Sequence, residues 1–141
     1  MKKIISYAAC MLMVISVTAA PTSKVLKLFN ETFPNASDVR WSDDKTGYFV
    51  SFTQNQNFEK ILYSKEGNFV CSWKYSDGKN LLTPVVMTLK RNYKDCEIIG
   101  VTEYATSQSV TYEVKLKNNK NWYSAKISSE GTLLNSERFS N

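Results

Sequence analysis

Two stretches of this chain place apolar residues at helical spacing, and each is followed by four short runs in which apolar and polar positions alternate. The first helical stretch is TSKVLKLFNETF, residues 22–33, where Val25, Leu28, Phe29, Thr32 and Phe33 recur on one face. Thr22 or Ser23 can cap its start. Pro34 stops it, because proline has no N–H to donate and pushes Phe33 out of helical geometry. The second stretch is TPVVMTLKRNY, 83–93, with a stripe of Val85, Val86, Leu89 and Tyr93. There Thr83 suits the N-cap and Pro84 the first helical position.

The strand-like runs after the first helix are VRW (39–41), GYFVSF (47–52), EKILYS (59–64) and NFVCSWKY (68–75). Those after the second are IIGV (98–101), TYEVKL (111–116), WYSAKIS (122–128) and TLLNSERF (132–139). An offset of 60 residues lays Val25 on Val85, Phe29 on Leu89, Phe33 on Tyr93, Ala36 on Cys96 and Trp41 on Val101. Beyond the first hairpin the offset becomes 64, pairing Tyr48, Val50 and Phe52 with Tyr112, Val114 and Leu116, and Gly67 with Gly131. SKEGNF and SSEGTL then read as one hairpin turn made twice. In TYEVKL the alternation is clean, which marks a half-buried antiparallel strand. Carried to the first half, this parity assigns Tyr48, Val50, Phe52, Ile61, Tyr63, Phe69, Cys71 and Trp73 to the buried face. The expectation is an α+β fold: a tandem repeat of a helix plus a four-stranded antiparallel sheet, about 22–77 and 80–141, with both helices on one face of a combined curved sheet. The joining segment SDGKNLLTP is too short for a flexible linker, so residues 21–141 read as a single domain.

The order V-x-x-x-F-x-x-x-F-P-N-A-x-x-V-x-W, then G-Y-x-V-x-F, then K-E-G-x-F resembles the PepSY-like, beta-lactamase-inhibitor-protein-like domains of exported bacterial proteins. It is carried by Val25, Phe29, Phe33, Pro34, Asn35, Ala36, Val39, Trp41, Gly47, Tyr48, Val50, Phe52 and Gly67. The second half resembles that family's second repeat. The resemblance implies an extracytoplasmic module without catalysis, with helices on the convex side of the sheet; the family's namesake inhibitor clasps its target enzyme with the concave face, and neither that target nor any inhibitory residue carries over by fold likeness. One departure bears on the second helix's exit: Phe33-Pro34-Asn35-Ala36 is answered by Tyr93-Lys94-Asp95-Cys96.

Lys2 and Lys3, the apolar run Ile4 to Val17 and the small residues up to Ala20 read as a secretory signal, residues 1–20, too short for a membrane anchor. Cys10 comes too early in that run to be a lipid-modified cysteine. Export to the periplasm or beyond follows. The net charge of +5 includes Lys2 and Lys3, and the other lysines are scattered, which argues against nucleic acid as a partner. Of the three cysteines, Cys71 and Cys96 lie beyond the leader; export permits a disulfide between them, and two buried thiols are the alternative.

The chain has no histidine, no C-x-x-C and no glycine-rich phosphate loop, so histidine-based catalysis, most zinc sites and nucleotide binding have no residues to work with. Asp43 and Asp44 form a carboxylate pair best read as a hairpin loop rather than a cation site. NET (30–32) and NAS (35–37) match the glycosylation pattern incidentally. Glu59, Glu103 and Glu113 are the scattered acids a carboxylate hydrolase would need to bring together. No catalytic residue, cofactor or metal is therefore expected. The parity opposite to the buried one carries Phe49, Phe58, Leu62, Val70, Trp122 and Leu134, among Ser51, Lys60, Ser72, Ser124 and Lys126. Either these form a protein-docking patch on an uncovered sheet face, or parity slips at a bulge, or several of them cover the sheet edge. A small apolar or glycan ligand on the same face is the alternative occupant.

Overall fold

In the computed structural model, residues 20–140 are described. Apart from Ala20, the leader reading falls outside them. Helix α1 (Ser23–Thr32) precedes strands β1 (Ser37–Asp43), β2 (Gly47–Gln54), β3 (Asn57–Ser64) and β4 (Phe69–Ser76). Helix α2 (Thr83–Asn92) precedes β5 (Glu97–Thr106), β6 (Val110–Lys117), β7 (Asn121–Ser128) and β8 (Leu133–Ser140). The strands pair antiparallel in chain order, making one open eight-stranded sheet of an α+β protein. Both helices cover the same sheet face. None of the described helices is long and apolar enough to cross a membrane.

Thr22 caps α1, its Oγ1 accepting from the Val25 N–H at 3.4 Å. The cap expected at Thr83 is instead Leu82, whose carbonyl accepts from the Val86 N–H at 3.0 Å. Starting one residue earlier strands nothing, because the N–H that Pro84 lacks is one of those a helix start leaves unbonded anyway. Both helices leave by the same turn. Phe33 N–H donates to the Phe29 carbonyl and Tyr93 N–H to that of Leu89, each at 2.8 Å, and the next bonds, Ala36 to Phe33 and Cys96 to Tyr93, are 3.1 and 3.2 Å. The sequence difference at Pro34 and Lys94 leaves the exit unchanged. Leu28, placed on the apolar stripe by spacing, faces solvent.

The face beneath the helices holds two separate cores. Val25 and Phe29 meet Val50, Phe52, Ile61 and Tyr63, with Phe33 and Trp41 alongside. Val85, Leu89 and Tyr93 meet Val101, Val114, Leu116, Ala125 and Ile127. Between them, across β3–β5, the row is polar: Glu59 pairs with Lys74, and Lys74 with Glu103.

Register shifts occur in β1 between Ser37 and Arg40, and in β5 between Ile98 and Gly100. Two more lie at the starts of β4 and β8. Tyr63 faces Phe69 but Leu62 faces Cys71, leaving Val70 as the extra residue; Ile127 faces Leu133 but Lys126 faces Asn135, leaving Leu134. A bulge reverses which side of the sheet the following residues take. The buried-face assignment of Cys71 and Trp73 is thereby overturned: both stand with Leu62 and Lys60 on the helix-free face, while Ser72 turns toward the helix side opposite Ile61.

Candidate functional site

The helix-free face is best built as rows across the strands, since directly paired residues share a face. One row reads Phe49, Leu62, Cys71, Thr106; the next Ser51, Lys60, Trp73, Tyr104, Thr111; the third Thr53, Phe58, Tyr75, Thr102, Glu113, Lys126. Over β2–β5 these rows gather aromatic rings. Phe58 and Tyr75 lie 5.7 Å apart between centroids, and Trp73 and Tyr104 5.5 Å. The Lys60 ammonium sits 4.6 Å above the Phe49 ring, a cation–π contact. Phe58 is 48% exposed and Tyr75 43%, although both lie on inner strands of the sheet. Cys71 is shielded beneath this layer, and its thiol, beside the Tyr104 hydroxyl, raises the Tyr104 pKa.

Over β6 and β7 the same face turns charged. Lys115 Nζ donates to Glu113 Oε1 at 2.5 Å and to Ser124 Oγ at 2.9 Å, and Ser124 Oγ donates to Glu113 Oε1 at 3.1 Å. The Lys115 hydrogen bond, ahead of the opposing effect of burial, holds the Glu113 carboxyl below its usual range. Past this cluster, Trp122 pairs with Phe139 on the outermost strand, with the Lys117 ammonium 5.8 Å from the Trp122 ring.

The six residues of the expected patch therefore do not form one group. Phe49 and Leu62 are cross-strand partners, with Phe58 two rows along the same hairpin. Val70 and Leu134 are the bulge residues, both exposed, and Leu134 borders a cleft of about 670 Å³ edged by Thr106, Val110, Thr111 and Ser128. Trp122 stands at the far corner. The residues that join Phe58 and Leu62 into a surface are Trp73, Tyr75 and Tyr104, which the parity reading missed. A signal for one of them, Trp73, exists in the second half: Asn135 and Glu137 show that this parity faces water after the turn glycine, and an offset of 64 carries it to Cys71 and Trp73.

Cys71 and Cys96 are both free. The disulfide that export would permit is not formed, since Cys71 lies opposite Thr106 at one end of β5 and Cys96 precedes Glu97 at the other. An extended strand of that length separates them by about 30 Å, against the 4.4–6.8 Å between Cα atoms that a disulfide spans.

The acids do not converge either. Glu59 and Glu103 flank Lys74 on the helix side, whereas Glu113 is on the opposite face. Burial raises the Glu59 pKa and takes that of Tyr112, beside Glu103, up to about 12. The cleft next to Glu103 and Tyr112 has about 40 Å³, room for water rather than a substrate. Asp44 is consumed by its own turn, its Oδ1 accepting from the Thr46 N–H at 2.7 Å and the Gly47 N–H at 3.2 Å, while Asp43 meets Lys65 at 3.1 Å. No cluster of three metal-ligating side chains occurs among the described residues.

No protein-family model and no curated protein matches the sequence. Solved structures do match the fold. A BLIP-like protein from Bacteroides fragilis superposes with a TM-score of 0.67 at 15% identity, covering 86% of this chain and 89% of its own. A DUF2874 family protein from Bacteroides ovatus gives 0.66 at 19% identity over 84% and 88%. A Bacteroides eggerthii protein for which a periplasmic location has been suggested gives 0.66 at 15% identity over 86% and 91%. At such identities the likeness shows the fold alone, and that fold is the BLIP-like open curved sheet.

Proposed function

We propose that this chain is an exported, non-catalytic binding module whose helix-free sheet face docks a protein, such as an envelope or secreted enzyme. The observation that carries the reading is the aromatic layer over β2–β5, where Phe58 packs at a tilt against Tyr75, and Trp73 against Tyr104, around Lys60. Rings held in register by a sheet lose little side-chain entropy on binding, and aromatic residues dominate the energy of protein interfaces. Glu113, Lys115 and Lys126 then form a charged rim along one side, as interfaces have. The side-chain chemistry supports the same reading: among the described residues, Glu59, Glu103 and Glu113 do not converge on a substrate-sized cleft.

The chain further reads as two copies of one unit, about 22–77 and 80–141, joined at β4–β5 into a single domain. Matching bulges, helix exits and hairpin turns support this, as does the PepSY-like, beta-lactamase-inhibitor-protein-like order of motifs. The basic start and apolar run before Ala20 support removal of a leader and a periplasmic or secreted location.

The test is capture from native envelope extract by the mature chain, followed by reconstitution with the purified partner. Trp73→Ala and Tyr75→Ala are each expected to weaken the reconstituted complex at least about tenfold, with Met87→Ala on the helix side as control. Equal binding by both aromatic variants would overturn the reading. Saturable binding of a soluble glycan to the same rings, with no protein captured, would transfer the face to a small ligand.

A further inference from the structure

Beside α2, away from the aromatic face, the helix and the sheet leave a groove of about 350 Å³ lined by Val86, Leu89, Tyr93, Cys96, Ile98 and Leu116. Lys90 and Lys94 stand at its rim, and among the described residues neither is in an ion pair. The volume falls within the range of about 300–1,000 Å³ typical of small-ligand sites. The side chains of these six residues are apolar except for the tyrosine hydroxyl, and that hydroxyl is turned to Ser136 Oγ at 2.6 Å. Burial pushes the Cys96 thiol pKa up, so the thiol stays protonated and the wall uncharged.

The equivalent place beside α1 is filled. There Phe29 and Phe52 stand where α2 and its sheet have Leu89 and Leu116, and their rings pack 5.0 Å apart, with Phe33 4.8 Å from Phe52. The positions corresponding to Lys90 and Lys94 are Asn30 and Pro34. Void and cations thus occur together in one half and are absent together from the other. Lysines in a last helical turn also complement the helix dipole, which accounts for Lys90; Lys94 lies past the helix end.

We infer that this groove binds a single-chain aliphatic carboxylate, its alkyl chain lying between α2 and β5–β6 and its headgroup between Lys90 and Lys94. Each methylene of an alkyl chain taken from water adds to binding, which gives the groove its affinity. The two ammonium groups select an anionic end. Neutral fatty alcohols of equal length lack that end and bind more weakly.

Cys96 makes the test direct. Mature protein is treated with a maleimide in the presence of decanoate, decanol or phosphatidylglycerol vesicles, and modification of Cys96 and Cys71 is followed by mass spectrometry. Decanoate is expected to slow Cys96 modification in a saturable way and leave the shielded Cys71 unchanged. Lys90→Gln combined with Lys94→Gln should weaken decanoate protection about five- to tenfold, since exposed charge pairs contribute modestly, and leave decanol unaffected. Leu89→Phe, copying the ring at Phe29, should remove protection by both; circular dichroism confirms the fold of each variant. Protection by vesicles but not by monomeric decanoate, or equal protection of the lysine variant and the wild type, would overturn the assignment.

Discussion

The two helix-and-four-strand halves share a backbone plan to the level of individual hydrogen bonds and differ in what fills it. Each carries a bulge in its first strand and another after its turn glycine, and each helix leaves by the same pair of bonds. Within that frame the first half packs rings, with Phe29 within 5.0–5.4 Å of Phe33, Trp41 and Phe52. The second packs mostly aliphatic side chains and leaves a groove. Their helix-free faces diverge in the same sense: apolar rings over β2–β4, a Glu113–Lys115–Ser124 network over β6 and β7. Turns, bulges and helix exits are common to both halves; the filling and the outer surface are not.

The largest separation between the halves should come from their cores. Phe52→Ala removes a fully buried ring that touches two others and is expected to cost about 3–5 kcal/mol in urea unfolding. Leu116→Ala, at the matching place, should fall at the low end of the 2–5 kcal/mol range, because the site already borders open space. A Leu116 cost equal to that of Phe52 would refute the difference in packing.

The turn glycines sharpen the comparison. Both adopt positive φ, +85° at Gly67 and +88° at Gly131, where any other residue is strained by about 1–2 kcal/mol. A Cβ on Gly67 would meet side-chain atoms of Val25 and Lys24 at 3.2–3.3 Å, which can yield; one on Gly131 would meet the Pro84 carbonyl oxygen at 2.7 Å, which cannot. Gly131→Ala should therefore lower the melting temperature further than Gly67→Ala. Equal shifts would mean that α2 rides on its turn as loosely as α1 does.

Tyr93→Phe makes the second half more like the first, where Phe33 has no hydroxyl. It deletes the 2.6 Å bond to Ser136 and ties β8 less firmly to α2. The expected loss is about 0.5–1.5 kcal/mol, with faster hydrogen exchange confined to β8 as the distinguishing readout.

Most of this architecture was legible from spacing. The stripes at Val25/Phe29 and Val85/Leu89 and the alternation of Tyr112, Val114 and Leu116 report one-sided burial, and burial is what apolar periodicity records. The faces of β4 were not legible, because Phe69, Cys71, Trp73 and Tyr75 are apolar at every second position whether or not Val70 is extra. A bulge changes register without changing composition, and Trp73 is equally suited to either face. The docking candidates inherit that ambiguity: Phe49, Phe58 and Leu62, on strands paired without a shift, share the helix-free face as their parity implies, while nothing in the spacing marks Trp73, Tyr75 and Tyr104 as their neighbours. The groove by α2 was invisible for another reason, since a void is set by the volumes of residues far apart in the chain.

The smallest expected contrast concerns one acid from each half, and its sign differs between them. Burial, ahead of the opposing Lys74 charge, raises the Glu59 pKa above its ordinary 4.5. The fold therefore favours protonated Glu59, and that contribution is complete below pH 4.5 and lost as pH rises through the folded value. Glu113 behaves oppositely. Its pKa is lowered by Lys115, so its contribution is present above 4.5 and lost as pH falls through the folded value. Glu59→Gln should thus gain stability relative to wild type as pH increases from 4.5 toward neutrality, while Glu113→Gln should gain relative to wild type only as pH drops below 4.5. Both acids are partly solvated, so the effects are modest, and urea midpoints across pH 3–7 resolve them better than single-condition melts. Parallel pH profiles for the two variants would show that the polar seam between the cores and the open charged face sit in equivalent surroundings, against the asymmetry of the two sheet faces described above.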